Sequence, residues 1–548
     1  MMGVYRMSIE TGQLRTWYLI GVGGGGCNII DDFFSQFENN FINIKKMTTS
    51  FKDDSGLLIP RTLAEHVLTK SVPGHSGWWV FNTSYQDLDK MHILGKKLDD
   101  YRTQMKPVLT SENSEITQKI QSDPDVGTFE ADDDIYTKMK KELNPRKRNV
   151  GPSTITERYA FTEKHFMQGR EGAGKWWILG EENVFNLLDE EEGIPRIQRI
   201  LDDYEKGAWR NSNAVLIVHA LGRGTGSGST GRIIDAIKQI RYKPRPVDVV
   251  TISVLPDYHK ADTRYRLTVV NALFGLISIL QTKEGQRLAD NIILVHNVML
   301  EELSKRKRPA FVYSDKLPLI GNRLFRRVNP KKINTQAYNG LIVDLIGLLC
   351  SGNLLTKDSR AFDVNNLIEW TNNLPNRIEP DIPTILIPAV YISSNKKSKP
   401  SDLISSILQR ENQWIYMDCD PESAKGLYPL LFFNNKRNRL SSGQIFDEVE
   451  NTVKELYPKF KGELCEPDYI DTAGSFSACL LFLVEPKIPI LDTYFEITNA
   501  VFEQTANYKS YTVHEASSNI LEMKKMWDKS YKKRAQLLID IINNRRGE

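Results

Sequence analysis

The chain has 548 residues, which is enough for two to four domains and for a core that needs no disulfide bonds. Its 40% hydrophobic and 26% charged residues are ordinary for a globular protein, and they exclude both a membrane bundle and a wholly disordered chain. The net charge of +3 is too small for this length to predict nucleic-acid binding.

The cysteines and the apolar segments predict a cytoplasmic protein. The five cysteines are scattered, form no CxxC pair and are odd in number, so neither a zinc site nor a disulfide framework is indicated. The most apolar stretch, residues 267–280, is shorter than the ~20 residues that cross a bilayer and contains Asn271. The first apolar run, 17–22, breaks into glycines instead of continuing as a signal-peptide core. We therefore expect no metal held by a cysteine or histidine cluster, no transmembrane segment and no export.

The first half of the chain alternates short apolar strands with helices. Residues 17–22 form a strand candidate that leads through GGGGCN into a helix with apolar residues at helical spacing. A second strand is predicted over 78–83, and a third, 214–221, leads through GRGTGSGS into another amphipathic helix. Strands at 247–255 and 291–298 complete the pattern. This alternation predicts an α/β fold, with a Rossmann-like parallel sheet covered on both faces.

The rest of the chain predicts a second, smaller domain. Two polar stretches, 39–76 and 96–166, are interpreted as surface insertions in the first domain. A long apolar helix follows that domain, and strands with an intervening helix then give an α+β pattern. The predicted units are an N-terminal α/β domain at 1–332, a central helix at 333–352, an α+β domain at 353–487 and C-terminal helices at 488–548.

Two glycine loops follow strands and precede helices. Glycine lets the backbone approach a phosphate closely, and the amides of the following helix N-terminus point at its negative charge. Gly21, Gly23 and Gly26 fit GxGxxG, which alone would favour a dinucleotide-binding domain. The second loop, 222–228, follows a different strand. Two such loops in one sheet predict a nucleotide that is held from both sides.

A third glycine cluster, GREGAGKWW at 169–177, nearly matches the Walker A pattern. Gly169, Gly174 and Lys175 are in place, but Trp176 stands where a Ser or Thr would hold magnesium, and no strand precedes the cluster. The pattern therefore argues against a P-loop ATPase or GTPase.

Taken together, these segments resemble the tubulin/FtsZ superfamily. HALGRGTGSGS at 219–229 resembles the tubulin signature GGGTGSG, with Arg223 in place of a glycine, and IGVGGGGCN at 20–28 resembles the first phosphate loop of FtsZ. VFNTSYQDL at 80–88 resembles the second nucleotide loop of FtsZ, and GREGAGKWW resembles the tubulin loop GQSGAGNNW. The resemblance is to a divergent prokaryotic or viral-type member, with a GTPase domain, a central helix, a smaller α+β domain and outer helices.

The resemblance implies a GTP or GDP site with Mg²⁺ as a cofactor. SVLPDYHKADT at 253–263 resembles the ribose-side loop of tubulins, and VHNVML at 295–300 resembles the loop whose asparagine reads guanine. Seven motifs agree in order and approximate spacing over residues 18–486. The implied nucleotide-binding residues are Gly21, Gly23, Gly24, Gly25, Gly26, Cys27, Asn28, Asn82, Thr83, Gly172, Ala173, Gly174, Lys175, Gly222, Arg223, Gly224, Thr225, Gly226, Ser227, Gly228, Asp262, Arg264, Asn297 and Asn339.

The resemblance also implies that an acidic loop of one subunit completes the GTP site of the next. Residues 361–374 resemble the α-tubulin segment LNVDLTEFQTNL, and alignment through the C-terminal end places Glu369 on the catalytic glutamate. Alignment to FtsZ instead matches Asp363 to the first acid and puts Asn366, which cannot act as a base, at the second. Glu369 is the favoured catalytic acid, with Asp363 assisting. In the other register hydrolysis would be slow or absent.

The implied function is a cytoskeletal GTPase that polymerises head to tail with its own copies and hydrolyses GTP at the subunit interface. Two alternatives stay open: a nucleotide-binding filament or scaffold protein without effective hydrolysis, and a nicotinamide-dependent oxidoreductase that rests on the first glycine loop. No direct nucleic-acid contact is expected, because the basic runs 146–148 and 305–308 are interpreted as solvated surface. The basic last helix, 515–543, is interpreted as packing on the core, with an adaptor protein, lipid headgroups or a neighbouring protofilament as its alternative partners.

Overall fold

The computed structural model describes most of the predicted strands and helices. The described residues are 17–35, 75–84, 173, 176–188, 214–238, 247–258, 263–283, 286–306, 338–352, 362–375, 381–393, 395, 397–409, 413–472, 477–507 and 514–543. The predicted insertion at 96–166 lies outside them, and of the one at 39–76 only residues 75–76 lie inside, where they begin a strand.

One mixed sheet organises the described residues. The strands are β1 Trp17–Val22, β2 His75–Phe81, β3 Ala214–Ala220, β4 Asp248–Leu255, β5 Thr282–Lys283, β6 Gln286–Arg287, β7 Asn291–His296, β8 Thr384–Ser393, β9 Gly426–Phe433, β10 Glu463–Leu464, β11 Asp468–Asp471 and β12 Ser477–Val484. Apart from the β5-β6 hairpin they pair in the order β10-β9-β12-β8-β7-β4-β3-β1-β2, and β11 also pairs with β9. The α/β fold predicted from the alternation is confirmed.

The strands from β2 to β8 are parallel, and the sheet turns antiparallel only at β12. The pairs β1-β2, β1-β3, β3-β4, β4-β7 and β7-β8 are all parallel, whereas β12 runs antiparallel to β8 and β9. The β7-β8 pairing, Asn291 with Thr384 through Ile293 with Leu386, joins the two halves of the chain in one sheet. Strands such as β1 and β12 are buried along their whole length, which explains why they are continuous apolar runs rather than alternating ones.

Fourteen α-helices lie within the described residues. They are α1 Gly23–Ser35, α2 Trp177–Leu188, α3 Gly224–Gly228, α4 Thr230–Lys238, α5 Thr263–Ile279, α6 Asn297–Ser304, α7 Asn339–Gly352, α8 Val364–Asn372, α9 Pro400–Leu408, α10 Asn435–Asn438, α11 Ser442–Leu456, α12 Ile490–Asn507, α13 His514–Met526 and α14 Lys532–Ile542. A short π turn, Trp527–Tyr531, joins α13 to α14. No helix among the described residues is long and apolar enough to cross a membrane.

The C-terminal helices pack on the first half of the chain through aromatic rings. The Phe274 ring on α5 stacks on the Tyr531 ring with centroids 4.6 Å apart, and it also packs on Trp527 and Trp177. The Tyr494 hydroxyl on α12 donates to the Pro256 carbonyl just after β4. Trp527 and Tyr531 are buried, which agrees with the interpretation that the last helix packs on the core.

The strand order places a crevice between β1 and β3. The chain crosses from β1 to β2 on one side and then returns to β3 on the other side of β1. Where connections diverge in this way, the loops at the carboxyl ends of the two strands leave a crevice, and open α/β sheets bind their ligands there. We call this end of the parallel strands the carboxyl edge and the opposite end the amino edge.

Candidate functional site

The first glycine loop touches the second one. Helix α1 begins at Gly23, directly after β1, with a backbone φ of +68°, which favours glycine. A Cβ at Gly23 would lie 2.7 Å from the backbone nitrogen of Gly226, so a side chain at position 23 would push the two loops apart. The two loops therefore meet at the switch point between β1 and β3.

Some of the glycines after β1 serve packing. A Cβ at Gly26 would lie 2.0 Å from the Val218 carbonyl oxygen, and one at Gly25 would lie 2.7 Å from the Ala220 Cβ. Both contacts are with β3, so these glycines let α1 lie close against the sheet. Close packing of a helix on a strand is thus one reason for the GGGG run, in addition to any approach of a phosphate.

The second glycine loop forms one helical run that is buried beneath α2. Helix α3 continues through Ser229 into α4, because the Ser229 amide donates to the Thr225 carbonyl and the Ile233 amide donates to the Ser229 carbonyl. A Cβ at Gly224 would lie 2.4 Å from the Trp176 carbonyl oxygen. Arg223, at the start of the run, is exposed. The first-turn amides of such a run lack intrahelical acceptors and are suited to bind an anion.

Thr83 joins three of the predicted motifs. Its Oγ1 lies 2.5 Å from the Oγ1 of Thr225, and it accepts a hydrogen bond of 3.1 Å from the Ala173 backbone amide. The end of β2, the second glycine loop and the GAGK segment therefore converge at the carboxyl edge, although 90 or more residues separate Thr83 from either partner along the chain. Of the GAGK segment, Gly172, Gly174 and Lys175 lie outside the described residues.

His219, near the end of β3, holds the second glycine loop through a hydrogen bond. Its Nδ1 lies 2.9 Å from the Gly226 carbonyl oxygen and its Nε2 lies 2.7 Å from the Ser253 hydroxyl. Because a carbonyl only accepts, Nδ1 carries the proton and donates, and Nε2 accepts from Ser253. Burial lowers the pKa of His219 to about 4. His219 is therefore a neutral, buried residue that holds the second loop against β3 and β4.

Cys27 also lies beneath the loops. The side chain is fully buried, and its thiol is 3.5 Å from the Phe81 carbonyl oxygen and 3.8 Å from the Gly21 carbonyl oxygen. The thiol thus lies between the ends of β1 and β2 and packs as a small side chain.

Two asparagines at the carboxyl edge carry buried polar atoms that lack a protein partner. The Oδ1 of Asn82 accepts from the Ser84 amide at 3.2 Å, but its Nδ2 has no hydrogen-bond partner in the described part of the chain. The Oδ1 of Asn297, at the start of α6, is likewise buried without a partner there. A buried polar atom without a partner costs about 1–3 kcal/mol, which a ligand at this edge would recover.

Asn339 lies against α1, where the structure adds a residue that the sequence analysis missed. The Nδ2 of Asn339 donates to the Oδ2 of Asp32 at 3.0 Å. Asp32 follows the predicted residue Asn28 by one helical turn, so the two share a face of α1, opposite the buried Ile29 and Ile30. That spacing was visible in the sequence, but the pairing with Asn339 joins residues 307 positions apart.

The predicted catalytic residues lie at the amino edge, away from the glycine loops. The Thr371 hydroxyl on α8 donates to Asn291 Oδ1, at the start of β7, at 3.4 Å, and the Phe362 ring stacks on Trp17, at the start of β1, at 6.4 Å. A strand as short as β1 separates the two edges by about 20 Å. One chain therefore does not bring α8 to its own glycine loops.

The two acids of the predicted catalytic segment, Asp363 and Glu369, differ in their surroundings. Asp363 is the N-cap of α8, and its Oδ1 accepts from the Asn365 amide at 2.9 Å. Asn366 and Glu369 are exposed and lie on one face of α8. No hydrogen bond or ion pair of the Glu369 side chain occurs within the described ranges. Glu369 is therefore an exposed side chain, whereas Asp363 stabilises its own helix.

Two predicted residues after β4 lie wholly or partly outside the described residues. Asp262 lies outside the described residues, and Arg264 lies in the first turn of α5 with its side chain outside them. No group of three or more His, Cys, Asp or Glu side chains that could hold a metal ion occurs among the residues that the structure describes.

No protein-family model matches the chain, and no curated protein matches it in sequence.

Gly26→Ala tests the packing role of the first loop. We expect a loss of about 3 kcal/mol in the free energy of unfolding, because the new methyl would overlap the Val218 carbonyl oxygen. Gly443→Ala is the matched control: a Cβ there meets nothing within 4 Å, so stability should rise by up to about 1 kcal/mol. Urea unfolding measures both, and equal effects would contradict the packing role.

His219→Asn tests the buried clamp through pH. The pKa of His219 is about 4 in the folded wild type and 6.5 in the unfolded chain. Above pH 6.5 the imidazole is neutral in both states and its titration does not change the free energy of unfolding. As the pH falls from 6.5 towards 4, only the unfolded chain takes up the proton, and the free energy of unfolding falls by up to about 3 kcal/mol. The asparagine does not titrate, so the free energy of unfolding should fall less steeply over this window. Parallel pH curves for the two proteins would show that His219 is not held neutral.

Proposed function

We propose that this protein binds GTP and GDP at the carboxyl edge, assembles head to tail with copies of itself and hydrolyses GTP at each junction, as members of the tubulin/FtsZ superfamily do. One observation carries the proposal: two touching glycine loops lie at one edge of a parallel sheet, and an exposed glutamate with no partner in the described ranges lies at the opposite edge.

The carboxyl edge is suited to bind phosphates. The loops of Gly23 and Gly226 bring two helix N-termini together at the switch point, and their amides favour negative charge. The hydrogen bonds of Thr83 to Thr225 and Ala173 hold three loops around this point. The Nδ2 of Asn82, which has no partner in the part of the chain that the structure describes, is a further donor at the same edge.

Mg²⁺ would accompany the nucleotide. It neutralises charge on the phosphate oxygens when bound, and it usually keeps several waters and few protein ligands. The hydroxyls of Thr83 and Thr225 are oxygen ligands of the carboxyl edge that could hold it. The lack of a carboxylate cluster among the described residues is compatible with a metal that arrives with the phosphates.

The separation of the two edges favours assembly. A surface that meets a different surface of the next copy gives a heterologous contact, which forms a filament or a ring instead of a closed dimer. Stacking the amino edge of one subunit on the carboxyl edge of another would bring Glu369 to the nucleotide of its neighbour. All parallel strands point the same way, so such a filament would be polar.

Glu369 is the residue best placed to act on a water at the junction. An exposed carboxylate can orient a water or accept its proton, while the loop amides stabilise charge on the phosphates. Asn366 lies one turn before it and can hydrogen-bond the same water without acting as a base. Asp363 contributes by capping α8 and thereby fixing the position of this face.

Glu369→Gln tests the catalytic role. We expect GTP turnover to fall at least 100-fold, with GTP binding and sedimentable assembly retained, because the amide cannot accept the proton. Glu503→Gln, an exposed glutamate on α12, is the control and should turn over GTP at the wild-type rate.

Asp363→Asn distinguishes between the two alignments of residues 361–374, to α-tubulin and to FtsZ. Asparagine also caps helices, so the variant keeps the fold and should keep most of the turnover. Full activity in Glu369→Gln with loss in Asp363→Asn would contradict the assignment. Assembly of the wild type without GTP turnover at any protein concentration would instead favour a nucleotide-binding filament or scaffold protein without effective hydrolysis.

A further inference from the structure

A ladder of buried side chains runs along α13, the π turn and α14. These side chains recur at every fourth residue: Met523, Trp527, Tyr531, Ala535 and Ile539. In an uninterrupted α-helix every fourth residue drifts by about 40° around the axis, so such a ladder would leave the core within a few turns. The π turn at Trp527–Tyr531 takes up part of this drift, because a π turn holds more residues than an α turn. The buried ladder therefore stays on one side of the two helices.

The residues two positions away form a second ladder on the opposite side. Two residues correspond to about 200° around a helix, so these positions face away from the core. All five are exposed: Leu521, Lys525, Lys529, Lys533 and Leu537. We call this second ladder the crest. From one end to the other it is about 24 Å long.

The crest combines exposed apolar side chains with positive charge. Leu521 and Leu537, 47% and 44% exposed, are the large apolar side chains that the described residues expose to solvent. The three lysines between them form no ion pair within the described ranges, whereas the adjacent Lys524 is paired with Asp528 at 2.7 Å. Asp528 and the exposed Glu522 lie beside the crest. A line of three positive charges therefore runs between two exposed leucines.

The chemistry of the crest suits the surface of an anionic lipid bilayer. A lysine ammonium is a point charge on a flexible chain and lacks the planar, bidentate geometry of arginine, so a row of lysines suits a diffuse negative surface better than one defined anion. Groups of lysines on a helix are typical of binding to anionic headgroups. An exposed leucine contributes nothing to contact with a nucleic-acid backbone, but it gains free energy when it is buried among lipids.

The shape of the crest also favours a bilayer over an acidic protein. The crest is the outermost line of two helices whose opposite side is buried, so it is convex. A folded partner would need a groove about 24 Å long to enclose both leucines. A headgroup layer accepts a convex helix at any point, and lysine side chains can lie along it while their ammonium groups contact the phosphates.

We infer that the crest is a peripheral membrane-binding surface. It lies along a bilayer that contains anionic lipids, with Leu521 and Leu537 inserted among the headgroups and the three lysines in contact with the lipid phosphates. The inference goes beyond the proposed function and depends on neither nucleotide binding nor hydrolysis.

Flotation of the full-length protein with lipid vesicles tests this inference. Vesicles of phosphatidylcholine are compared with vesicles in which about one third of the lipid is phosphatidylglycerol, at low salt and without nucleotide. The wild type should float with the anionic vesicles only. The triple variant Lys525→Gln, Lys529→Gln, Lys533→Gln should bind them at least 10-fold more weakly, because each lysine near an anionic surface contributes to the affinity.

Two further variants show which part of the crest binds. Lys454→Gln, Lys459→Gln, Lys461→Gln is the matched control: it removes three exposed lysines on and just after α11 and should bind as the wild type does. The double variant Leu521→Ser, Leu537→Ser keeps every charge of the crest. It should bind about 10-fold more weakly, because two apolar side chains no longer enter the bilayer.

The remaining outcomes would overturn the inference. Flotation of the wild type with neither kind of vesicle, or with both equally, would contradict it, and so would wild-type affinity in the lysine variant. If the lysine variant loses binding and the leucine variant keeps all of it, the crest recognises negative charge alone, and an acidic protein or a nucleic acid replaces the bilayer as its partner. Because no nucleotide is present, none of these results bears on the proposed GTP site.

Discussion

The contact between the two glycine loops is the constraint on which the rest of the site depends. Helices α1 and α3 both begin at the switch point of the sheet, and they can meet there because positions 23 and 226 carry no side chain. A methyl group at Gly23 would overlap the Gly226 backbone and would also disfavour its positive φ. His219 then holds the Gly226 carbonyl from β3. The two loops are thereby held against each other at the carboxyl edge.

The direction of the parallel strands determines which residues lie at the carboxyl edge and which lie at the amino edge. Because β1, β3, β4 and β7 all run the same way, everything that follows a strand lies at one edge and everything that precedes a strand lies at the other. Helix α8 precedes β8 and therefore lies at the amino edge, where Thr371 contacts Asn291. A site that needs both edges can only be completed by a second copy, so hydrolysis and assembly would be one event.

Much of the fold could be predicted from the sequence, since apolar runs and glycines act locally. The strands that precede each glycine loop, and the helices that follow, have continuous apolar runs or helical spacing that no tertiary contact overrides. The pairing of β7 with β8, which joins both halves in one sheet, depends on contacts between residues about 90 positions apart and has no local signal.

The site was predictable in its residue types but less so in their roles. Gly25 and Gly26 fit a phosphate loop by pattern, yet their close contacts are with β3. Alignment alone left Asp363 and Glu369 as competing acids, and only the structure shows that Asp363 caps its own helix. Asp32 carries no motif, so its pairing with Asn339 is visible only after α1 and α7 have packed. Roles that depend on long-range packing thus required the structure.

Mixing two inactive variants measures most directly whether the active site is shared between subunits. Glu369→Gln keeps the glycine loops, and Arg223→Glu keeps Glu369 but places a negative charge at the exposed start of the second loop. Each alone should hydrolyse GTP slowly, and a 1:1 mixture should recover roughly a quarter of the wild-type turnover, because one junction in four joins intact loops to an intact glutamate. A mixture no more active than the average of its components would contradict a site that is completed between subunits.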